Sequence, residues 1–294
     1  MSTISRRQGH GPTPLAEYWE PAHRHLFGAV VAECVHLRRG FANWPSLSAA
    51  IAVGRLRGQP QALRMRTRSG PTLQTPVGDR SWWTAVECFG RDCYRLAMLD
   101  LPPSPVVLDI GANIGAFTLA VVARWPQAQV TAIDASPAAV EALAANVARQ
   151  AASNQVAVRH AAVVGAGNGT TALLHEHPDD LCTSSLLDHM TTGQVRQVEV
   201  PAIELSSVLS PHPATVDLLK IDVEGAEYEI VGTAPVELLT TVNRVLVEYH
   251  AVPGHDVAEL AWQLAAAGLV WEWQEHSALP GQGLACWARP GGTR

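Results

Sequence analysis

Apolar and polar positions change period several times along this chain, and each change marks an element. Apolar residues recur at helical spacing over 23–39 and 46–57, and Gly40 and Gly58 stop the two runs, so two helices are expected. The next block, Leu63-Arg-Met-Arg-Thr-Arg68, alternates strictly. Ser69-Gly-Pro71 turns it and 72–75 returns, which reads as a hairpin. Positions 82–99 take up the helical period again and lead through Pro102-Pro-Ser-Pro105 into a buried strand at 106–110. From there strands and helices alternate: helix 116–124, strand 130–134, helix 137–150 with Ser136 as N-cap and Pro137 at its first position, strand 156–164. Residues 165–200 read as irregular, with short strands at 170–174 and 194–200. Strands at 216–222 and 244–249, a helix at 256–267 closed by Gly268, and a final strand pair at 270–274 and 284–289 complete the chain. The expected fold is α/β: a doubly wound sheet, mostly parallel with an antiparallel terminal strand, plus an N-terminal helical and hairpin extension. The extension is taken as 1–80, a lid or oligomerisation element, and the sheet domain as 81–294. Residues 1–22, with Gly11-Pro-Thr-Pro14, show little periodicity and are expected to be loose.

Composition narrows the class. With 294 residues and 47% hydrophobic content the chain can bury a large core, and 16% charged residues is too few for wholesale disorder. The net charge of −6 argues against a nucleic-acid partner. That charge is uneven: residues 1–80 hold eleven Arg against four acids, +7, which leaves −13 for the remainder. Two solvated surfaces of opposite sign would account for this, as would a basic extension packed on an acidic domain or facing an acidic substrate. The five cysteines are odd in number and lack metal spacing, as for free thiols in a reducing cytosol. No apolar segment follows Arg6-Arg7, and the run 29–35 is broken by Glu33 and too short to span a bilayer. Neither a signal peptide nor a membrane is expected, and the expected place is the cytoplasm. Of 21 basic residues only Lys220 is a lysine, which suggests a position that needs the compact ammonium.

The candidate chemistry begins where strand 106–110 breaks into Gly111-Ala-Asn-Ile-Gly115. Gly111 and Gly115 carry no Cβ, so backbone can approach a ligand at the carboxyl end of the strand, where open α/β sheets bind. Asp134, twenty-four residues beyond Ile110, ends the next strand, where it can accept hydrogen bonds from both hydroxyls of a ribose. A dinucleotide site would show G-x-G-x-x-G, which sets pyrophosphate on a helix N-terminus. Here the paired glycines are missing. Asp109 would repel a pyrophosphate, yet it can accept bonds from an ammonium or orient the glycine loop. S-adenosylmethionine, with a ribose, an ammonium, a carboxylate and no phosphate, suits this loop better than a nicotinamide dinucleotide.

Asp109-Ile-Gly-Ala-Asn-Ile-Gly115 together with Leu219-Lys-Ile-Asp-Val-Glu-Gly-Ala-Glu227 resembles the FkbM family of S-adenosylmethionine-dependent methyltransferases. Further echoes are Glu87-Cys-Phe89, Tyr94 and Val247-Glu-Tyr-His250, and the similarity runs over residues 80–289. One departure is the second acid, commonly in a Phe-Glu-Pro context in that family and here in Ile133-Asp-Ala-Ser-Pro137. The resemblance implies the class I methyltransferase (Rossmann-like) arrangement, S-adenosylmethionine as cofactor with S-adenosylhomocysteine as product, and a small-molecule acceptor. The expected cofactor set is Glu87, Asp109, Gly111, Ala112, Asn113, Gly115, Asp134, Ala135, Ala161, Ala162 and Asp222. Adenine is expected between the second and third strands, over Ala135 and 160–162. Ser184-Ser185-Leu186 resembles a segment near the acceptor.

Methyl transfer from a sulfonium needs in-line alignment at about 3–3.5 Å and, for a hydroxyl or amine acceptor, a base. His250 is the first choice of base because imidazole titrates near neutrality, with Asp222 and Glu224 as the other catalytic candidates. A plain salt-bridge and capping cluster of Lys220, Asp222 and Glu224 is the alternative. Lys220 is expected to pair with Glu87 or Glu227. His175, His177 and His189 lie in the irregular segment, but no pair has convincing metal-ligand spacing and no metal is expected. The leading expectation is O-methylation of a hydroxyl on a secondary metabolite or sugar. The alternatives are N-methylation of an amine or peptide, and a methyltransferase-like scaffold without activity. The extension could also support a homo-oligomer.

Overall fold

The computed structural model describes residues 26–59, 61–76, 78–150, 152, 154–177, 180–190, 195–210, 215–277 and 279–291. The expected loose segment 1–22 and the start of the first helix lie outside them. Two helices, α1 (Leu26–Gly40) and α2 (Trp44–Arg57), precede a hairpin of β1 (Arg64–Arg66) and β2 (Thr72–Gln74). Then come α3 (Trp82–Val86), β3 (Val106–Ile110), α4 (Ala116–Arg124), β4 (Gln129–Asp134), α5 (Pro137–Arg149), β5 (Val156–His160), β6 (Ala162–Val164) and β7 (Thr171–Glu176). The chain continues with β8 (Arg196–Glu204), α6 (Leu205–Leu209), β9 (Leu218–Ile221), α7 (Glu227–Gly232), α8 (Val236–Leu239), β10 (Arg244–Tyr249), α9 (Val257–Ala266), β11 (Val270–His276) and β12 (Gly283–Ala288). Local signals account for several ends. Ser136 Oγ accepts from Ala139 N at 3.2 Å with Pro137 in the first turn of α5, and Asp256 with Glu259 forms a capping box on α9.

The central sheet has the order β11-β12-β10-β9-β3-β4-β5. β5, β4, β3, β9 and β10 run parallel, while β12 is antiparallel to both of its neighbours. This is the doubly wound, mostly parallel sheet expected from the alternation of elements, in the arrangement that the resemblance implies. Both faces are covered, and the period-two alternation along β3 divides two hydrophobic clusters. Val107 packs with residues of α1 to α5, Leu108 and Ile110 with residues of α6 to α9. The strand order reverses between β3 and β9, so a crevice opens at their carboxyl ends.

Leu37, Phe41, Met65 and Leu73 join the same cluster as Val107. Asn146 and Gln150 of α5 bond to the backbone of β2. The described part of the extension therefore shares the core of the sheet.

Three segments differ from expectation. The helix expected over 82–99 is only α3, a π-helical turn (Glu87–Arg91) and a 3₁₀ turn (Leu96–Met98). Asp92 and Arg95 adopt φ of 51° and 52°, and the Asp92 carboxylate accepts from Leu96 N and Ala97 N, which ends the helix early. Strand 156–164 breaks after His160, because β6 leaves the central sheet to pair with β8. The segment expected as irregular holds a second sheet, β6-β8-β7. Its strands exceed the short ones expected because β7 and β8 pair over six residues. All five cysteines are free, and no helix among the described residues is long and apolar enough to cross a membrane.

Candidate functional site

The loop after β3 is set by backbone that most residues would strain. Gly111 has φ 75°, and a Cβ there would lie 1.6 Å from the carbonyl oxygen of Asp222. Gly111 N and Ala112 N donate to Ile133 O at 2.9 and 3.0 Å, and Asn113 N donates to Asp134 Oδ2 at 2.7 Å. Gly111 and Asn113 face the crevice; Ala112 is buried beside them, and Gly115 packs on Leu143 of α5. Asp134 Oδ1 accepts from Ser136 N at 2.8 Å, so two backbone donors orient its carboxylate at the tip of β4. Burial pushes this carboxyl up to about 6, against the pull of those donors.

Beneath the loop sits Lys220. The register of β3 and β9 sets Asp109 opposite Lys220. Its Nζ donates to Gly111 O at 2.7 Å and lies 3.3 Å from Asp109 Oδ1 and 3.1 Å from Asp222 Oδ2. Asp109 also accepts from Thr118 Oγ1 at 2.6 Å and has no exposed surface, so it reaches the crevice only through Lys220 and the loop. Burial alone lowers an ammonium pKa, but Asp222 and Asp109 outweigh it and hold Lys220 charged. Glu87 and Glu227, the partners expected for Lys220, are bonded elsewhere. Glu87 accepts from Trp83 Nε1 at 2.9 Å, and Glu227 accepts from Gly225 N at 2.8 Å and His250 N at 2.6 Å.

One wall of the crevice is acidic, with Glu87, Asp222, Glu224 and Glu248 on it. The Tyr94 hydroxyl lies 3.1 Å from Glu248 Oε2 and 3.3 Å from Asp222 Oδ2, and donates to one at a time. Burial pushes Glu87 up to about 7 against Arg91, and Glu224 up to about 8 against His250. Glu248 is raised well above its ordinary value by burial and by Asp222 and Glu87. Glu248 and Tyr94 were absent from the expected site residues, although both stand in the sequence echoes quoted above.

His250 is placed differently from a free base. It is buried, and both ring nitrogens meet carboxylates, Nδ1 3.1 Å from Glu227 Oε1 and Nε2 3.2 Å from Glu224 Oε2. Burial lowers its pKa, but Glu224 and Glu227 together raise it well above the ordinary value. It is Glu224 that faces the crevice. Glu224 has φ 54°, in a turn held by Ser185 Oγ donating to Glu224 O at 2.6 Å.

The crevice lining also carries the apolar residues Ile133, Ala135, Ala161, Ala162 and Leu174, together with Ser184 and Leu186. The free space amounts to about 830 Å³, open mouth included. His175 is buried in β7 against Gln197, away from the crevice, and the side chain of His189 lies outside the described residues. Tertiary structure thus gathers Glu87, Gly111, Asn113, Asp134, Ala135, Ala161, Ala162, Asp222 and Glu224 around one space. It leaves Asp109, Ala112, Gly115 and His250 as supports behind it.

The profile of the Methyltransferase FkbM domain matches residues 109–270. Methyltransferase sdnD of Sordaria araneosa is 31% identical over 189 residues, covering 55% of this chain and 72% of its own. The 31-O-demethyl-FK506 methyltransferase FkbM of Streptomyces tacrolimicus is 27% identical over 219 residues, covering 65% of this chain and 82% of its own. Among solved structures, Methyltransferase FkbM from Methylobacillus flagellatus KT overlaps with a TM-score of 0.46 at 11% identity. That overlap covers 71% of this chain and 53% of the other, so the chain spans about half of that protein.

Proposed function

The chain belongs to the FkbM methyltransferase family, and from that premise we propose that it transfers the methyl group of S-adenosylmethionine to a hydroxyl of a small molecule. The observation that carries this reading is a single crevice holding Gly111, Asp134 and Glu224. The residues fit the cofactor. Gly111 has no room for a Cβ because the backbone of Asp222 packs against it, and this packing sets the glycine loop on the crevice lining beside Asp222. Each carboxylate oxygen of Asp134 accepts one backbone bond and keeps lone-pair capacity for a ribose hydroxyl. Ala135, Ala161 and Ala162 give a flat wall for adenine, and the acidic wall favours cationic groups of the ligand. Bound there, S-adenosylmethionine supplies a methyl group on a positively charged sulfur.

The protein's own work is positioning and proton removal. Glu224 accepts the proton of the acceptor hydroxyl, with Asp222 beside it. His250 acts as a positioning residue, its Nε2 lying 3.2 Å from Glu224 Oε2. The acceptor oxygen, its proton passed to Glu224, would take the methyl group that bound S-adenosylmethionine supplies, and the bonding pair would stay with the sulfur. The relative from Streptomyces tacrolimicus is named for a 31-O-demethyl substrate, which supports a hydroxyl acceptor and a place in natural-product biosynthesis. The acidic wall favours one other reading, an amine acceptor. A cytoplasmic location belongs to the same proposal.

Calorimetry with S-adenosylhomocysteine tests it. Micromolar binding is expected, and Asp134→Ala should weaken it at least tenfold, the scale of about 1.4 kcal/mol of lost ribose contacts. No heat from the wild-type protein would end the proposal.

A further inference from the structure

Asp222, Glu224 and His250 each bring one ligand atom to within 4.8 Å of the others, although they come from two different strand ends. We propose that these three side chains bind a divalent cation of the magnesium or manganese type. Two neighbouring oxygens of the acceptor, vicinal hydroxyls or a hydroxyl beside a carbonyl, complete its shell. The inference rests on the methyl-transfer reading and names the chemistry of its acceptor.

The donor set decides the metal class. Two carboxylates and one imidazole form an oxygen-rich set that suits magnesium or manganese and lacks the thiolates of a soft site. What stands behind the three ligands is the stronger argument. Glu227, with no exposed surface, accepts from His250 N at 2.6 Å and lies 3.1 Å from Nδ1. A proton held on Nδ1 by that carboxylate turns Nε2 toward Glu224 and Asp222. This carboxylate–histidine relay is the arrangement that orients metal-bound imidazoles. Asp222 is held from one side, since Lys220 and Tyr94 both meet Oδ2. Glu224 is held by its left-handed turn and by Ser185 on its carbonyl. A non-glycine residue in that backbone region persists only where the surroundings enforce it.

Charge points the same way. The crevice lining carries Glu87, Asp134, Asp222, Glu224 and Glu248. Lys220, the cation beneath the loop, is already shared with Asp109. Lys220 meets Asp222 and His250 meets Glu224, and a divalent cation between the two carboxylates adds to that compensation in a crevice lined by five acids. The crevice beside the cation then takes an acceptor that offers two oxygens, and Glu224, ligating through one oxygen, keeps the other for the acceptor's proton.

The test uses the full chain, stripped with EDTA, dialysed and titrated with Mn²⁺ under electron paramagnetic resonance. One Mn²⁺ per chain is expected, with nitrogen coupling from one imidazole in the pulsed spectrum. Glu224→Gln and His250→Ala should each weaken binding at least tenfold. S-adenosylhomocysteine affinity measured in EDTA should match that in Mn²⁺ within about twofold, which separates the two readings. Loss of that affinity overturns the methyl-transfer reading, whereas intact affinity without Mn²⁺ binding overturns only the cation. Binding without nitrogen coupling, or binding unchanged in both variants, also overturns the cation site, and the wild-type spectrum decides even if a variant fails to fold.

Discussion

A single buried ammonium ties the loop after β3 to the acidic wall. Lys220 contacts Gly111 O, Asp109 and Asp222 at once, and Asp109 has no exposed surface. Removing one member of a buried ionic group leaves the others uncompensated, at a cost of about 3–5 kcal/mol. Lys220→Met should therefore lose about that much stability in urea denaturation, and a loss under 1 kcal/mol would disprove the role. Lys220→Arg should not restore the wild type, because a planar guanidinium is larger than the ammonium it replaces. The chain had announced this position as its one lysine among 21 basic residues. It did not announce the partners, which were expected to be Glu87 or Glu227. Asp109 meets Lys220 through a strand register that joins residues more than a hundred positions apart.

At the scale of elements, the loop between β3 and α4 is the part most readable in advance. An apolar run, two glycines at spacing four and a helical period dictate strand, turn and helix from local chemistry alone. Gly111→Ala should destabilise the fold and remove S-adenosylhomocysteine binding in calorimetry, since its Cβ would meet the Asp222 carbonyl at 1.6 Å. Gly167→Ala, with φ 87° but nothing within 4 Å, is the control and should keep cofactor affinity. A Gly111→Ala protein that binds normally would refute the close approach. By contrast, 82–99 reads as helix and is not one. Its apolar spacing is helical, but Asp92 and Arg95 take left-handed φ of 51° and 52° and end the helical turns. The π-helical turn there puts Glu87 on the crevice wall. Strands were expected over β6 and over most of β8, but not their pairing in a separate sheet, which joins segments about forty residues apart.

Over the whole molecule, the crevice gathers acids whose protons the fold holds more tightly than the unfolded chain does. Asp134 at about 6, Glu87 at about 7 and Glu224 at about 8 all lie above their ordinary values, with burial as the first cause. A group with a raised folded-state pKa contributes stability that is present at low pH and lost as pH rises through that value. His250, raised by Glu224 and Glu227 against burial, acts in the same direction. The melting temperature of protein free of cofactor and held in EDTA should therefore fall between pH 5.5 and pH 8.5 at constant ionic strength. A flat or rising profile would contradict the charge arrangement.

The sequence by itself determined what depends on near neighbours: the alternation of strands and helices, the glycine loop, the acid at the tip of β4 and the covered sheet. Those features follow from burial period and backbone preference, which operate within a few residues. Only the tertiary structure decided that Lys220 serves Asp109 and Asp222, and that Tyr94 and Glu248 join the acidic wall. It alone held His250 between two glutamates rather than free to act as a base. Those pairings depend on strand register and on which segments the sheet order brings together, and no local pattern along the chain encodes either.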